Sequence, residues 1–245
     1  MPTRIEWCDE TWNPFGWGCF GPGGSAEHPK LCSYCFAKRL SLRKMVKCPQ
    51  CQAFIPHWHP EQLDRPLHWK KPRRVFCGSM CDPFGDWVTD DQLDQILDVM
   101  ANCPQHTFYL LTKQPQNIME KIYNSACRPP FIFRRSLPRN VWLGASIDTQ
   151  ARAQSSDADM TNVLSYGWHT FASVEPMLTA ISPASLMWAE WIIIGAESGR
   201  DAAKHKPQRE WIEHILNVAD GETPVFLKDS ITRLWPDLAR QEWPV

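Results

Sequence analysis

From residue 74 onward the chain alternates short, almost wholly apolar runs with longer polar or helix-patterned stretches. The runs are RVFCGSM (74–80), TFYLLT (107–112), NVWLGAS (140–146), HTFASV (169–174), WIIIGA (191–196) and PVFLK (224–228). A strand with one face in water reads as an alternation of apolar and polar residues, whereas a strand covered on both faces reads as a continuous apolar run. The stretch TDDQLDQILDVMANCP lies between the first two runs. It sets Leu93, Ile96, Leu97 and Met100 at helical spacing behind Thr89 and its acids, a helix start. PQREWIEHILNVADG does the same with Trp211, Ile212, Ile215 and Leu216, and Gly221 follows as a stop. Buried strands separated by helices predict a parallel sheet covered by helices. With one more strand near TWNPF, the expected fold class is α/β, a partial or complete (β/α) barrel of parallel strands. A doubly wound open sheet is the alternative, but no G-x-G-x-x-G follows a strand and no G-x4-G-K-[ST] occurs. One domain is expected over residues 1–245, with a Cys/His-rich metal-binding insertion at 41–70.

Each run turns polar at its carboxyl end. Ser79 and Asp82 follow the first, Thr112 and Lys113 the second, Ser146 and Asp148 the third. Glu175 closes the fourth, Glu197 and Ser198 the fifth, and Lys228 and Asp229 the sixth. Ligands of barrels and open α/β sheets bind at that edge. For any one of these residues, leaving the core is explanation enough; the recurrence is what argues for a site. Lys113 and Lys228 are candidates to meet an anionic substrate, or else to form a salt bridge with Glu175 or Asp229.

The formal net charge is -1, which argues against a strong non-specific grip on nucleic-acid backbone. The run KKPRR (70–74) is read as a solvated turn leading into a strand. The opening MPTRIEWCDETW lacks the apolar core of a secretory signal, and no apolar run is long enough to span a bilayer. A cytoplasmic location is expected. Ten cysteines in a reducing compartment point to metal or redox chemistry. The 13 Trp are expected mostly in the core, with a few available to stack a base.

The cysteines admit two metals. Cys32-x2-Cys35 and Cys48-x2-Cys51, twelve residues apart, suit a four-thiolate zinc site. Cys48, Cys51, His57 and His59 would form a self-contained zinc set of two thiolates and two imidazoles, unless His59 only serves the turn HPEQLDRPL. Alternatively, Cys19, Cys32 and Cys35 could hold three irons of a [4Fe–4S] cube. The Gly- and Pro-rich FGPGGSAEHPKL between Cys19 and Cys32 would then be an excursion of the loop. Cys77 is expected to pack as a small apolar residue, as are Cys8, Cys103 and Cys127. Cys81 is expected to face the site, where a thiol could return a hydrogen atom to a product radical.

The segments IEWCDETWNPFGWGC…CSYCFAKRL, RVFCGSMCDPF, HTFYLLTKQPQNI, VWLGASIDTQ, FASVEPML, WIIIGAESG and PVFLKD run in order from about residue 4 to 229. Together they resemble a phage- and bacteria-associated branch of the radical S-adenosylmethionine (SAM) superfamily, akin to spore photoproduct lyase. The superfamily pattern is C-x3-C-x2-C, and this chain departs from it by having twelve residues between Cys19 and Cys32. Phe36, after the third cysteine, fits the superfamily habit. The resemblance implies a [4Fe–4S] cluster, SAM bound through its amino and carboxylate groups to the open iron, and one-electron cleavage of SAM to a 5′-deoxyadenosyl radical. It also implies an electron donor such as a flavodoxin or ferredoxin, and a nucleobase or nucleotide substrate, as in DNA modification or repair. By strand order it places Ser79 and Asp82 near the SAM amino group and Ser146 near the ribose. Glu175 and Glu197 then meet SAM or substrate, with Lys113 and Cys81 also toward the reaction. The rival class is a non-catalytic zinc module on an α/β scaffold that recognises nucleic acid or protein. Cys19 separates the two, because only the enzyme needs it.

Overall fold

The apolar runs become strands, and the structure adds the seventh expected near TWNPF. The computed structural model describes residues 3, 5–43, 46–126, 137–197, 202, 205–219 and 221–244. Among these the strands are β1 (Glu10–Trp12), β2 (Arg74–Cys77), β3 (Thr107–Thr112), β4 (Val141–Ser146), β5 (His169–Val174), β6 (Ile192–Ile194) and β7 (Val225–Leu227). They form a seven-stranded sheet in chain order, β1 to β7. A doubly wound sheet reverses its strand order at a switch point. This order never reverses, so the fold is α/β of the parallel half-barrel type. Two compact units divide the chain, residues 1–142 and 143–245; each is described by itself.

In the first unit β1, β2 and β3 pair in parallel. Trp7 and Trp12 are buried. Trp7 packs on Phe76 at 4.7 Å and edge-on to Tyr109 at 5.6 Å, and the Trp12 indole N–H donates to the Gln62 carbonyl at 2.7 Å. Helix α1 (Phe36–Ser41) follows the Cys32–Cys35 turn, and α2 (Pro49–Ala53) lies in the Cys/His-rich stretch. Helix α3 (Asp90–Ala101) starts on a capping box: Thr89 Oγ1 accepts from Gln92 N at 3.3 Å, and Gln92 Oε1 accepts from Thr89 N at 3.0 Å. Its face of Leu93, Ile96, Leu97 and Met100 is buried, as the spacing predicts, each side chain worth about 1.5–3 kcal/mol. Helix α4 (Gln116–Ala126) follows β3. The KKPRR turn is only half solvated. Lys70 and Lys71 are exposed. Arg73 pairs with Glu10 at 2.6 Å, however, and Arg74 forks onto Asp9 at 2.8 and 3.2 Å, so these cations tie β2 to the β1 segment.

In the second unit β5, β6 and β7 pair in parallel. Gly144 on β4 is required by contact: a Cβ there would lie 2.4 Å from the Phe171 ring. Helix α5 (Gln150–Ser165) is capped by the Thr149 hydroxyl. Helix α6 (Arg209–Ala219) turns Ile212 and Ile215 inward. Gly221 then stops it at φ +80°, a conformation that costs glycine little. Helix α7 (Asp229–Thr232) follows β7. Trp188 and Trp191 are buried, in line with the expected core role of tryptophan. Among the described residues no helix is long and apolar enough to cross a membrane.

Candidate metal centres and strand-end groups

The Cys/His-rich stretch closes on itself. The ligand atoms of Cys48, Cys51, His57 and His59 all lie within 4.8 Å of one another. His57 Nε2 is 3.5 Å from Cys48 Sγ and 3.4 Å from Cys51 Sγ, and His59 Nε2 is 3.4 Å from Cys51 Sγ. A tetrahedral zinc with Zn–S near 2.3 Å and Zn–N near 2.05 Å needs S···N edges of about 3.5 Å. The donor set therefore fits that ion. The outer shell agrees. His57 Nδ1 faces the Ile55 carbonyl at 2.7 Å and His59 Nδ1 faces the Glu61 carboxylate at 2.5 Å. Both partners are acceptors, which favours a proton on each Nδ1 and turns each Nε2 inward. The two Nε2 atoms are 2.9 Å apart, an arrangement that a shared cation stabilises. Cys48 and Cys51 thus find their partners in the two histidines, and the four-thiolate set with Cys32 and Cys35 is not the group that assembles. His59 serves both this set and the turn that follows it.

Cys19, Cys32 and Cys35 are near enough for the charges of Cys32 and Cys35 to act on Cys19, and the loop that carries them is closed by a main-chain bond. The peptide N–H of Lys30 donates to the Phe20 carbonyl at 2.6 Å, so the excursion leaves and returns at one point. Gly21 turns the chain there at φ +80°, where a Cβ would lie 1.9 Å from the Lys30 carbonyl oxygen. With the closed excursion set aside, Phe20, Lys30 and Leu31 are the three residues left between Cys19 and Cys32. The effective spacing is C-x3-C-x2-C. N–H donors reach all three sulfurs: Gly21 N meets Cys19 at 3.2 Å, Lys38 N meets Cys35 at 3.4 Å, and Lys113 Nζ meets Cys32 at 3.4 Å. Burial pushes the Cys19 thiol up to about 12, and the neighbouring charges of Asp82, Cys35 and Cys32 act in the same direction. Burial also raises Cys35. Cys19 and Cys35 pack against a buried patch of Ala37, Phe54 and Met80, and Phe54 belongs to the zinc-type knuckle.

The carboxyl ends of β2 and β3 share one buried carboxylate. Asp82 Oδ1 accepts from the Thr112 hydroxyl at 2.6 Å and from Phe84 N at 3.1 Å, and Oδ2 accepts from Lys113 N at 3.0 Å. Burial raises its pKa against the pull of these donors. Its oxygens thus serve the chain itself. Asp82→Asn is expected to cost about 2–3 kcal/mol in a urea melt, because either amide orientation sets an NH2 against a peptide N–H. An unchanged midpoint would mean that the carboxylate is not holding these strand ends. The Ser79 hydroxyl donates to Asn13 Oδ1 at 3.2 Å, and Met80 N donates to the same oxygen at 3.1 Å. Lys113 lies over the Tyr34 ring at 4.4 Å and hydrogen-bonds its hydroxyl. Cys77 is buried, as are Cys8 and Cys103, while Cys127 lies outside the described residues. Burial holds the Cys81 thiol well above its usual range, with Cys77, Asp82 and Cys19 adding to the rise. Asn13, Tyr34 and Gln114, whose Oε1 accepts from Gly23 N at 3.4 Å, carry no sequence spacing that would have singled them out.

In the second unit Ser146 and Glu197 are buried. Asp148 accepts from Arg152 Nε at 2.8 Å. Glu175 pairs with Lys228, the duller of the two roles considered for that lysine. Glu197 pairs with His205 Nδ1 at 2.5 Å, a partner eight residues on that the sequence reading missed. Ser198 lies outside the described residues.

Two solved structures of spore photoproduct lyase resemble the chain. One is complexed with dinucleoside spore photoproduct: 9% identity, TM-score 0.55, covering 87% of this chain and 74% of that one. The other, a point mutant, gives 10% identity, TM-score 0.56 and the same coverages. At such identity the likeness speaks for the fold. Among curated proteins no sequence matches. A family model described as "Protein of unknown function (DUF5131)" matches residues 2–231, and with that span the chain belongs to the DUF5131 family.

Proposed function

We propose that the chain is a radical SAM enzyme, with Cys19, Cys32 and Cys35 as ligands to three irons of a [4Fe–4S] cluster. The observation that carries this reading is the closed excursion, which converts a gap of twelve residues into the effective C-x3-C-x2-C spacing. The resemblance to spore photoproduct lyase in fold supports it. When bound, the cluster and SAM supply one-electron cleavage chemistry that generates a 5′-deoxyadenosyl radical. The chain's own part is to hold and tune. Gly21 N, Lys38 N and Lys113 Nζ donate to the three sulfurs, and such donors raise a cluster's potential. Asp82 fixes Thr112 and the Lys113 backbone, which aims Lys113 at Cys32. By strand order we assign Ser79, Ser146 and Glu197 to SAM, and Glu175 and Cys81 to substrate. Zinc is assigned to Cys48, Cys51, His57 and His59 as a structural ion. A nucleobase or nucleotide is the substrate class proposed, by analogy with the dinucleoside bound in one similar structure.

Anaerobic purification with iron and sulfide analysis tests the reading. The expected result is a brown protein with about four irons per chain that releases 5′-deoxyadenosine from SAM under dithionite. A colourless protein holding zinc alone would sink the reading and leave the non-catalytic zinc module.

A further inference from the structure

The stretch from His28 to Pro60 contains Lys30, Lys38, Arg39, Arg43, Lys44 and Lys47 and no Asp or Glu, in a chain whose net charge is -1. This stretch carries Cys32 and Cys35. Its surface is also apolar at the tips. Leu31, next to Cys32, is 37% exposed; Phe36, next to Cys35, is 42% exposed; and Leu42 is 70% exposed. Arg43 and Lys47 are exposed as well.

We propose that this surface is the docking face for an acidic one-electron carrier protein, with Leu31, Phe36 and Leu42 as its apolar contacts and Arg43 and Lys47 as its charges. The inference rests on the cluster reading above. Two features select the occupant. Cations interleaved with exposed Leu and Phe suit a small protein interface with an apolar centre and a charged rim. A phosphate backbone offers Leu42 nothing to bury against. The face also adjoins two of the cluster thiols in sequence, so an electron delivered there enters beside the cluster. Electron-transfer encounters are small and short-lived, and they depend on charge steering more than on buried area.

The test is the anaerobic rate at which reduced flavodoxin, used as the acidic probe, bleaches the cluster. In Arg43→Glu/Lys47→Glu the rate is expected to fall about tenfold or more at low salt, and the wild-type rate should fall steeply as salt is added. Leu42→Asp is expected to slow the same step, while dithionite, which needs no docking, reduces all the variants at the wild-type rate. A wild-type carrier rate in the cluster-loaded double variant overturns the proposal. So does an intact carrier rate accompanied by lost binding of a single-stranded oligonucleotide, which would make this a nucleic-acid surface. A wild-type protein that binds no cluster, and so gives dithionite nothing to bleach, overturns the enzyme reading itself and this proposal with it.

Discussion

Replacing Cys19 by Ala is expected to take bound iron from about four per chain to background while zinc stays near one. A cube held by three thiolates loses a corner, and no described cysteine other than Cys32 and Cys35 accompanies Cys19 in the closed loop. Cys81 is near enough for the Cys19 charge to act on it, but burial holds its own thiol well above the usual range. The residues proposed for zinc belong to a separate set whose ligand atoms already lie within 4.8 Å of one another. Zinc is therefore expected to survive the loss of iron, and metal analysis of the purified variant reads both at once. Iron retained at the wild-type level in Cys19→Ala would remove this residue from the cluster and reopen the spacing question.

Cys51→Ala is expected to empty the zinc site and to lower the melting temperature by about 10 °C or more. Loss of a structural metal is among the few single changes that cost about 4–5 kcal/mol, and each kcal/mol shifts a chain of this length by about 2–4 °C. The knuckle is built around this residue: Cys51 is buried, its sulfur meets both histidines, and its carbonyl accepts from Phe54 N at 3.1 Å. Its loss should reach the iron loop mechanically, because a Cβ on Gly18 would lie 2.3 Å from the Ile55 backbone and one on Gly16 would lie 2.7 Å from the His57 ring. Iron content in Cys51→Ala should fall only as far as the folded fraction does. A melting temperature within a degree or two of wild type, with zinc absent, would show that the ion is dispensable to the fold.

The strands were legible because burial on both faces writes itself into consecutive residues, and the helix of residues 90–101 because its apolar face and its Thr89 cap are both local signals. Strand ends were less so. The run RVFCGSM continues apolar to Met80, but β2 stops at Cys77, because Gly78 turns the backbone at φ +79° after a last bond from its N–H to the Trp12 carbonyl at 2.9 Å. The zinc-type set could be read from the sequence since its four ligands fall within twelve residues. The bond between Phe20 and Lys30 could not, because a main-chain contact across an irregular loop leaves no mark on residue type. Nor could the pairing of Glu197 with His205, or of Lys113 with Tyr34, in which ordinary polar residues meet without a period to betray them.

The closed base of the excursion separates thiol geometry from chain length. Lengthening a loop whose ends are already pinned costs about 0.6 kcal/mol per doubling. The tip, Ser25 to Pro29, faces solvent. It is thus a natural graft point: a peptide tag or a fluorophore carried between Ser25 and His28 should ride there without disturbing the three sulfurs. A pattern search that counts residues along the chain will pass over sites built this way, whereas one that counts across the pinned base will find them.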